Sequence, residues 1–210
     1  MYIGAKVSVM SISLVRWLNY KDLHLVTDGK RFGIEDMHRK LICPIKYLDI
    51  DDFDHGLAVV KFKKNIFSKV QVGVINEKGE ETLFSSDCER VEILSSNLLA
   101  VQVRVNKDES KWMLTTRVGQ RLCSPKYDEA PKWVVKDKLL SAPIDRLLTL
   151  IDDKGNQLCK PRYKFLRSAS RRERESGVAC EGARDGYWYK INVKGVELEA
   201  RYHERAWNIY

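Results

Sequence analysis

Nowhere in this 210-residue chain does an apolar run approach the about 18 residues that cross a bilayer as a helix, so neither a membrane span nor a membrane partner is expected. No Cys-x-x-Cys pair occurs either. The five cysteines (Cys43, Cys88, Cys123, Cys159, Cys180) are odd in number and scattered, which argues against a disulfide framework. The segment from Met1 lacks the charged and unbroken apolar stretches of a signal peptide and alternates from Lys6 to Leu14 like a strand; together with the cysteines, this gives a cytoplasmic expectation. Gly-x-Ser-x-Gly, phosphate-cradling Gly-Lys-Ser/Thr and His-Glu-x-x-His motifs are all missing. His24, His38, His55 and His203 share no metal-ligand spacing. The acidic run from Asp49 to Asp54 fails as a calcium loop, because Phe53 stands where an oxygen ligand is needed and Asp54 where glycine is. Nothing nominates a nucleophile, base, metal or cofactor, and the chain is expected not to be an enzyme.

What is present is an ordinary apolar fraction of 44% and an excess of 37 Lys+Arg over 29 Asp+Glu, a formal charge of +8. The apolar fraction supports a core; the charge permits an anionic partner without requiring one. The strongest feature is self-similarity. Short turns of the form Asx-x-x-Gly occur at Asn76–Gly79, Asp152–Gly155 and Asn192–Gly195, with a variant at Thr116–Gly119 and a copy without glycine at Asp36–Arg39. Their first residues, 36, 76, 116, 152 and 192, are spaced by 40, 40, 36 and 40 residues. A fixed period of this size is the mark of a repeat architecture. Within each turn the Asx side chain can cap backbone N–H groups, and glycine accepts the positive φ of a type I turn with a bulge.

Other features recur in phase. Pro44-Ile45-Lys46-Tyr47, Pro125-Lys126-Tyr127, Pro161-Arg162-Tyr163 and the weakened Ala200-Arg201-Tyr202 follow the turns; proline ends a ladder, and tyrosine can bury its ring with the hydroxyl at the edge. Apolar strands precede the turns at Gly56–Val60, Asn97–Val101, Lys138–Ala142 and Gly177–Cys180. Cys43, Cys123 and Cys159 each stand seven residues after a turn begins, a place held elsewhere by Leu83 and Glu199, which reads as core packing rather than metal ligation. The expectation is an all-β chain of five tandem units, each of three or four short antiparallel strands. The units fall roughly at 19–56, 57–97, 98–137, 138–176 and 177–210, with an N-terminal strand region at 5–18. No linker or composition break interrupts them, so 1–210 reads as a single β-repeat domain.

In Phe32-Gly33-Ile34, Leu41–Pro44, Tyr47 and Phe53-Asp54-His55-Gly56-Leu57-Ala58-Val59-Val60 the chain resembles bacterial WG-repeat (KWG-type) proteins. The later units keep less: Gly73-Val74-Ile75-Asn76 in the second, Trp112 followed by Met113 in the third, no aromatic-Gly pair in the fourth and Trp188-Tyr189 in the fifth. The resemblance spans about residues 23–203 and implies a non-enzymatic protein-interaction scaffold. Two closures suit the period, a propeller-like ring and an open curved hairpin array. The N-terminal strand region, which can complete the last unit, favours the ring.

One segment departs from the pattern. Arg167-Ser168-Ala169-Ser170-Arg171-Arg172-Glu173-Arg174-Glu175-Ser176 has four arginines and no large apolar residue, and reads as an exposed, mobile loop. Lys160, Arg162 and Lys164 lie just upstream, and +5 of the net charge falls between Lys160 and Tyr210. Arginine forks suit phosphate or carboxylate, and Trp133, Tyr187, Trp188 and Trp207 offer stacking faces. Lys160, Arg162, Lys164, Arg167, Arg171, Arg172 and Arg174 are therefore the candidate residues for an anionic or acidic partner. Another protein is the first expectation for that partner, and RNA or DNA the alternative.

Overall fold

A computed structural model describes residues 12–202; the earlier part of the expected N-terminal strand region, together with His203 and Trp207, lies outside the described residues. The chain is all-β, built of several antiparallel sheets, with one short helix among the described residues. It divides into two compact units, one ending at Ser86 and the other beginning at Asp87, a boundary that no shift in composition marks.

The first unit holds a seven-stranded antiparallel meander in sequence order: β1 (Ser13–Trp17), β2 (His24–Thr27), β3 (Phe32–Glu35), β4 (Leu41–Ile50), β5 (Leu57–Phe62), β6 (Gln71–Asn76) and β7 (Glu81–Leu83). Its core is built from alternate positions such as Leu25, Ile34, Cys43, Ala58, Val60 and Ile75, the period-two pattern that strands require. The second unit holds three sheets. β8 (Cys88–Ile93), β9 (Leu98–Arg104) and β10 (Ser110–Thr116) form one; β11 (Lys132–Val135), β12 (Leu139–Ile144) and β13 (Leu147–Asp152) form the next. The last comprises β14 (Phe165–Ser168), β15 (Cys180–Arg184), β16 (Tyr187–Ile191) and β17 (Glu197–Tyr202), with α1 (Arg171–Glu175) between its first two strands.

The five turns share one backbone geometry. In each, the fourth residue donates its N–H to the carbonyl of the first, and the first donates to the carbonyl of the fifth: Gly79 to Asn76 and Asn76 to Glu80, and likewise at Asp36, Thr116, Asp152 and Asn192. The first side chain caps the turn, as where Asp152 Oδ1 accepts from the N–H groups of Lys154 (2.9 Å) and Asn156 (2.7 Å). Gly79 holds φ +81° at the fourth position; Arg39 stands there in the first turn at +61°, a conformation a side chain adopts at a cost. Gly79 is required twice over, since a Cβ would come to 2.3 Å of the Ile42 carbonyl oxygen.

After Thr116 and Asp152 the returning segments do not form full strands. They touch β10 and β13 only through isolated bridges, at Thr115–Arg121, Trp112–Tyr127, Ile151–Gln157 and Leu148–Tyr163. A glycine stands three residues before each of the first two turns, whereas Tyr189 holds that place before the fifth and β17 still pairs fully with β16. Gly33 and Gly73 let the return strand close in: a Cβ at Gly73 would meet the Thr82 carbonyl oxygen at 2.5 Å. Met113 and Thr149 hold the same place with side chains, and the Thr149 hydroxyl donates instead to the Cys159 carbonyl (2.6 Å).

The segment expected as an exposed, mobile loop is ordered. Arg167 and Ser168 belong to β14, and α1 begins with a reciprocal cap: Ser170 Oγ accepts from the Glu173 N–H while the Glu173 carboxylate accepts from the Ser170 N–H (3.0 Å). Tyr47, Tyr127 and Tyr163 are buried as expected of the Pro-x-Tyr elements, whereas Tyr202 is exposed.

Candidate functional site

The arginine-rich region is the site that the sequence nominates, and its residues sit on the last sheet and the segments flanking it. β14, β15, β16 and β17 set Arg167, Glu181, Lys190 and Glu199 directly opposite one another across four strands. Arg167 pairs with Glu181 at 2.6 Å and Lys190 with Glu199 at 2.9 Å, so charges of alternating sign neutralise one another along this row. The Arg167 guanidinium also lies over the Trp188 ring, 4.4 Å from its centroid, while Phe165 meets the same ring edge-on. Trp188 thus stacks on a residue of its own sheet.

The other candidates divide. Arg162 lies 3.5 Å from Glu197 and over the Tyr163 ring. Arg174 donates to the Ala169 carbonyl (2.7 Å), closing the turn that leads into α1. Arg171 pairs with Glu175 one helical turn on, fully in solvent. Lys164 donates its backbone N–H to the Ala183 carbonyl, at the head of β14. Among the described residues Lys160 and Arg172 make no ion pair. The structure therefore brings Arg167, Arg171, Arg172 and Arg174 together around β14 and α1, and directs Arg162 to a different carboxylate, Glu197.

Glu197 belongs to an arrangement that occurs twice. Tyr163 donates its hydroxyl to Glu197 (2.7 Å), as Tyr47 does to Glu81 (2.6 Å), and the basic residue before each tyrosine reaches the same carboxylate: Arg162 to Glu197 and Lys46 to Glu81 (2.8 Å). Burial opposes the ionised form of Glu81, but the hydrogen bonds from Lys46 and Tyr47 outweigh it and hold the carboxyl below its usual range; Arg184 and Tyr163 do the same for Glu197. A third tyrosine, Tyr127, has Lys126 beside it bonded to Gln157 (2.8 Å), yet its own buried hydroxyl finds no hydrogen bond of good geometry, with only the Cys123 thiol alongside. Two of these elements, those of Tyr47 and Tyr163, are thus clasps in which a cation, a tyrosine hydroxyl and a carboxylate meet.

All five thiols are free. Burial pushes Cys43 up to about 11 and Cys88 and Cys180 up to about 12, so these three remain protonated at neutral pH.

Sequence reasoning missed one recess. On the first unit a cavity of about 530 Å³ is lined by Ile12, Leu14, His24, Glu35, Met37 and Arg39. β2 and β3 place His24 opposite Glu35, with Nδ1 4.0 Å from the carboxylate; Trp17 meets the imidazole edge-on, and the buried Nε2 has no hydrogen-bond partner among the described residues. The pair forms across two strands, so no spacing along the chain announces it. Metal clusters of three or more His, Cys, Asp or Glu do not occur among the described residues, nor does a helix long and apolar enough to cross a membrane.

No protein-family model and no curated protein matches the chain. Among solved structures, one described as "Crystal structure of the eukaryotic initiation factor" superposes with a TM-score of 0.52 at 10% identity, over 94% of this chain and 54% of that one. A second, "KlHsv2 with loop 6CD replaced by a Gly-Ser linker", gives 0.35 at 11% identity over 90% and 66%. The first likeness shows a shared fold and nothing about activity, and this chain spans about half the length of that structure; the second is too low to bear on the fold.

Proposed function

We propose that the chain is a non-enzymatic protein-interaction scaffold of the WG-repeat type, acting in the cytoplasm, with five tandem units that close into a propeller-like ring. What supports this reading is a constant frame with variable tips. The turns at 36, 76, 116, 152 and 192 keep one hydrogen-bond geometry, while the strand connections beside them differ in length and chemistry. Asp145-Arg146 and Asp185-Gly186 are two-residue turns with both residues at positive φ, while the connection from Phe62 to Gln71 is eight residues long. Rigid frames with varied tips suit recognition of a macromolecular surface.

The alternative, RNA or DNA binding through Lys160, Arg162, Lys164, Arg167, Arg171, Arg172 and Arg174, is less well supported, because Arg162 and Arg167 lie against Glu197 and Glu181. Purification of the protein from its native host, with one sample treated with nuclease, tests the reading. A stoichiometric protein partner that survives nuclease and rebinds when both proteins are purified is expected; partners that all vanish with nuclease would replace the scaffold reading with the nucleic-acid one.

A further inference from the structure

Of the connections between the paired strands that precede each turn, one is unlike the rest. Asp28–Arg31, Asn106–Glu109, Asp145-Arg146 and Asp185-Gly186 present charged or polar tips. Between β5 and β6 the tip instead presents Ile66 and Phe67, which are 79% and 90% exposed. The backbone of this tip is tied by one side chain: Asn65 Oδ1 accepts from the N–H groups of Phe67 (3.0 Å) and Ser68 (2.9 Å) and from the Ser68 hydroxyl (2.8 Å). Lys63, Lys64 and Lys69 flank the pair, and none of them makes an ion pair among the described residues. Lys61, further from the tip, is neutralised by Asp49 at 3.0 Å. From Lys61 to Asn76 the sequence contains no Asp or Glu.

We infer that this tip docks on an anionic lipid surface, with Ile66 and Phe67 entering the interfacial layer and Lys63, Lys64 and Lys69 at the level of the headgroups. Two arguments favour lipid over an acidic protein. A convex tip of two apolar side chains is far smaller than the roughly 800 Å² per partner of a stable protein interface. A bilayer needs no complementary pocket and rewards buried apolar area plus basic charge near its surface. The expectation of no membrane partner came from the lack of a spanning run, which does not bear on a tip that enters only the interface. Binding of this kind is reversible, strongest on the anionic cytoplasmic leaflet, and weakened by salt.

Co-sedimentation of the full chain tests this with vesicles of phosphatidylcholine alone and of phosphatidylcholine with phosphatidylserine. The chain is expected to sediment with the phosphatidylserine vesicles. The double variant Ile66→Ser/Phe67→Ser should lose about tenfold or more of that binding, and Lys63→Gln/Lys64→Gln/Lys69→Gln should abolish the preference for anionic lipid, with unchanged melting temperatures, since Ile66, Phe67, Lys64 and Lys69 are exposed and the half-buried Lys63 keeps part of its aliphatic stem as Gln and has no ion pair to lose. Arg171→Gln/Arg172→Gln should bind like the parent. In a Phe67→Trp variant, tryptophan emission should shift to the blue on adding anionic vesicles. Three results would overturn the proposal: no sedimentation with either vesicle, binding that the tip variants leave intact, or tip-dependent binding to an acidic polyglutamate–leucine peptide without vesicle binding.

Discussion

At the scale of single residues, equivalent turn positions respond to substitution with opposite sign. Gly79 and Arg39 occupy the same turn position at φ +81° and +61°. Gly79→Val places a branched side chain in left-handed backbone and against the Ile42 carbonyl, and should cost about 2 kcal/mol or more. Arg39→Gly relieves a strained residue and should raise the melting temperature by the equivalent of about 1 kcal/mol. Thermal unfolding of the two variants checks both, and a shift of the same sign in each would contradict the turn assignment. The clasps give a second pair. Gln157 stands five residues after its turn begins, as Glu81 and Glu197 do, and its amide oxygen is taken by Lys126; Gln157→Glu should add a second acceptor oxygen for the Tyr127 hydroxyl and stabilise by about 1 kcal/mol, whereas Glu81→Gln weakens a clasp already made.

Acid should open the clasps. Glu81 and Glu197 are held ionised in the folded chain below the value of about 4.3 they have when unfolded. The unfolded chain therefore binds protons first as pH falls, and the stabilisation, complete at neutral pH, is lost as pH drops through their folded values. The melting temperature should decline from about pH 5 downward, and less steeply in Glu81→Gln/Glu197→Gln, whose neutral-pH stability is lower to begin with.

Elements show what the sequence reveals and what it hides. Strands and turns are legible because alternation and Asx-x-x-Gly signals act locally, within a few residues. Partnerships across strands are not: Arg167 finds Glu181 fourteen positions on, and Arg162 finds Glu197 thirty-five positions on, so a segment rich in arginine reads as free charge when two of its members are neutralised. Position α1 is a different case. Its cap, Ser170-Arg171-Arg172-Glu173, is written in the sequence, but the charge of the segment masks it. Ser170→Ala should cost about 1 kcal/mol locally; trypsin should then cut after Arg171, Arg172 and Arg174 faster than in the parent, with little change in global melting. The segments returning after Thr116 and Asp152 are reduced to isolated bridges, an outcome of packing visible only once the strands are paired.

At the scale of the molecule, the 37 Lys and Arg side chains have different jobs within the fold. Lys46 and Arg162 reach the carboxylates of the tyrosine clasps and Lys126 reaches Gln157; Arg167 and Lys190 are neutralised along the charge row of the last sheet; and Arg172, Lys160 and the lysines around Phe67 make no ion pair among the described residues. The proposed ring is testable by solution scattering: a closed, compact chain of this length should have a radius of gyration of about 17 Å, and an open curved array a clearly larger one. The central claim is that Arg162 and Arg167 serve contacts within the fold, to Glu197 and Glu181, rather than grip a phosphate backbone. Its most direct test is a titration of fluorescently tagged single-stranded RNA and double-stranded DNA with the full chain, between about 50 and 200 mM salt. Weak binding at low salt that disappears at the higher concentration, unchanged by Arg162→Gln, is the predicted result. Saturable binding that persists at the higher salt and falls with substitution of Arg167, Arg171 and Arg172 would contradict it.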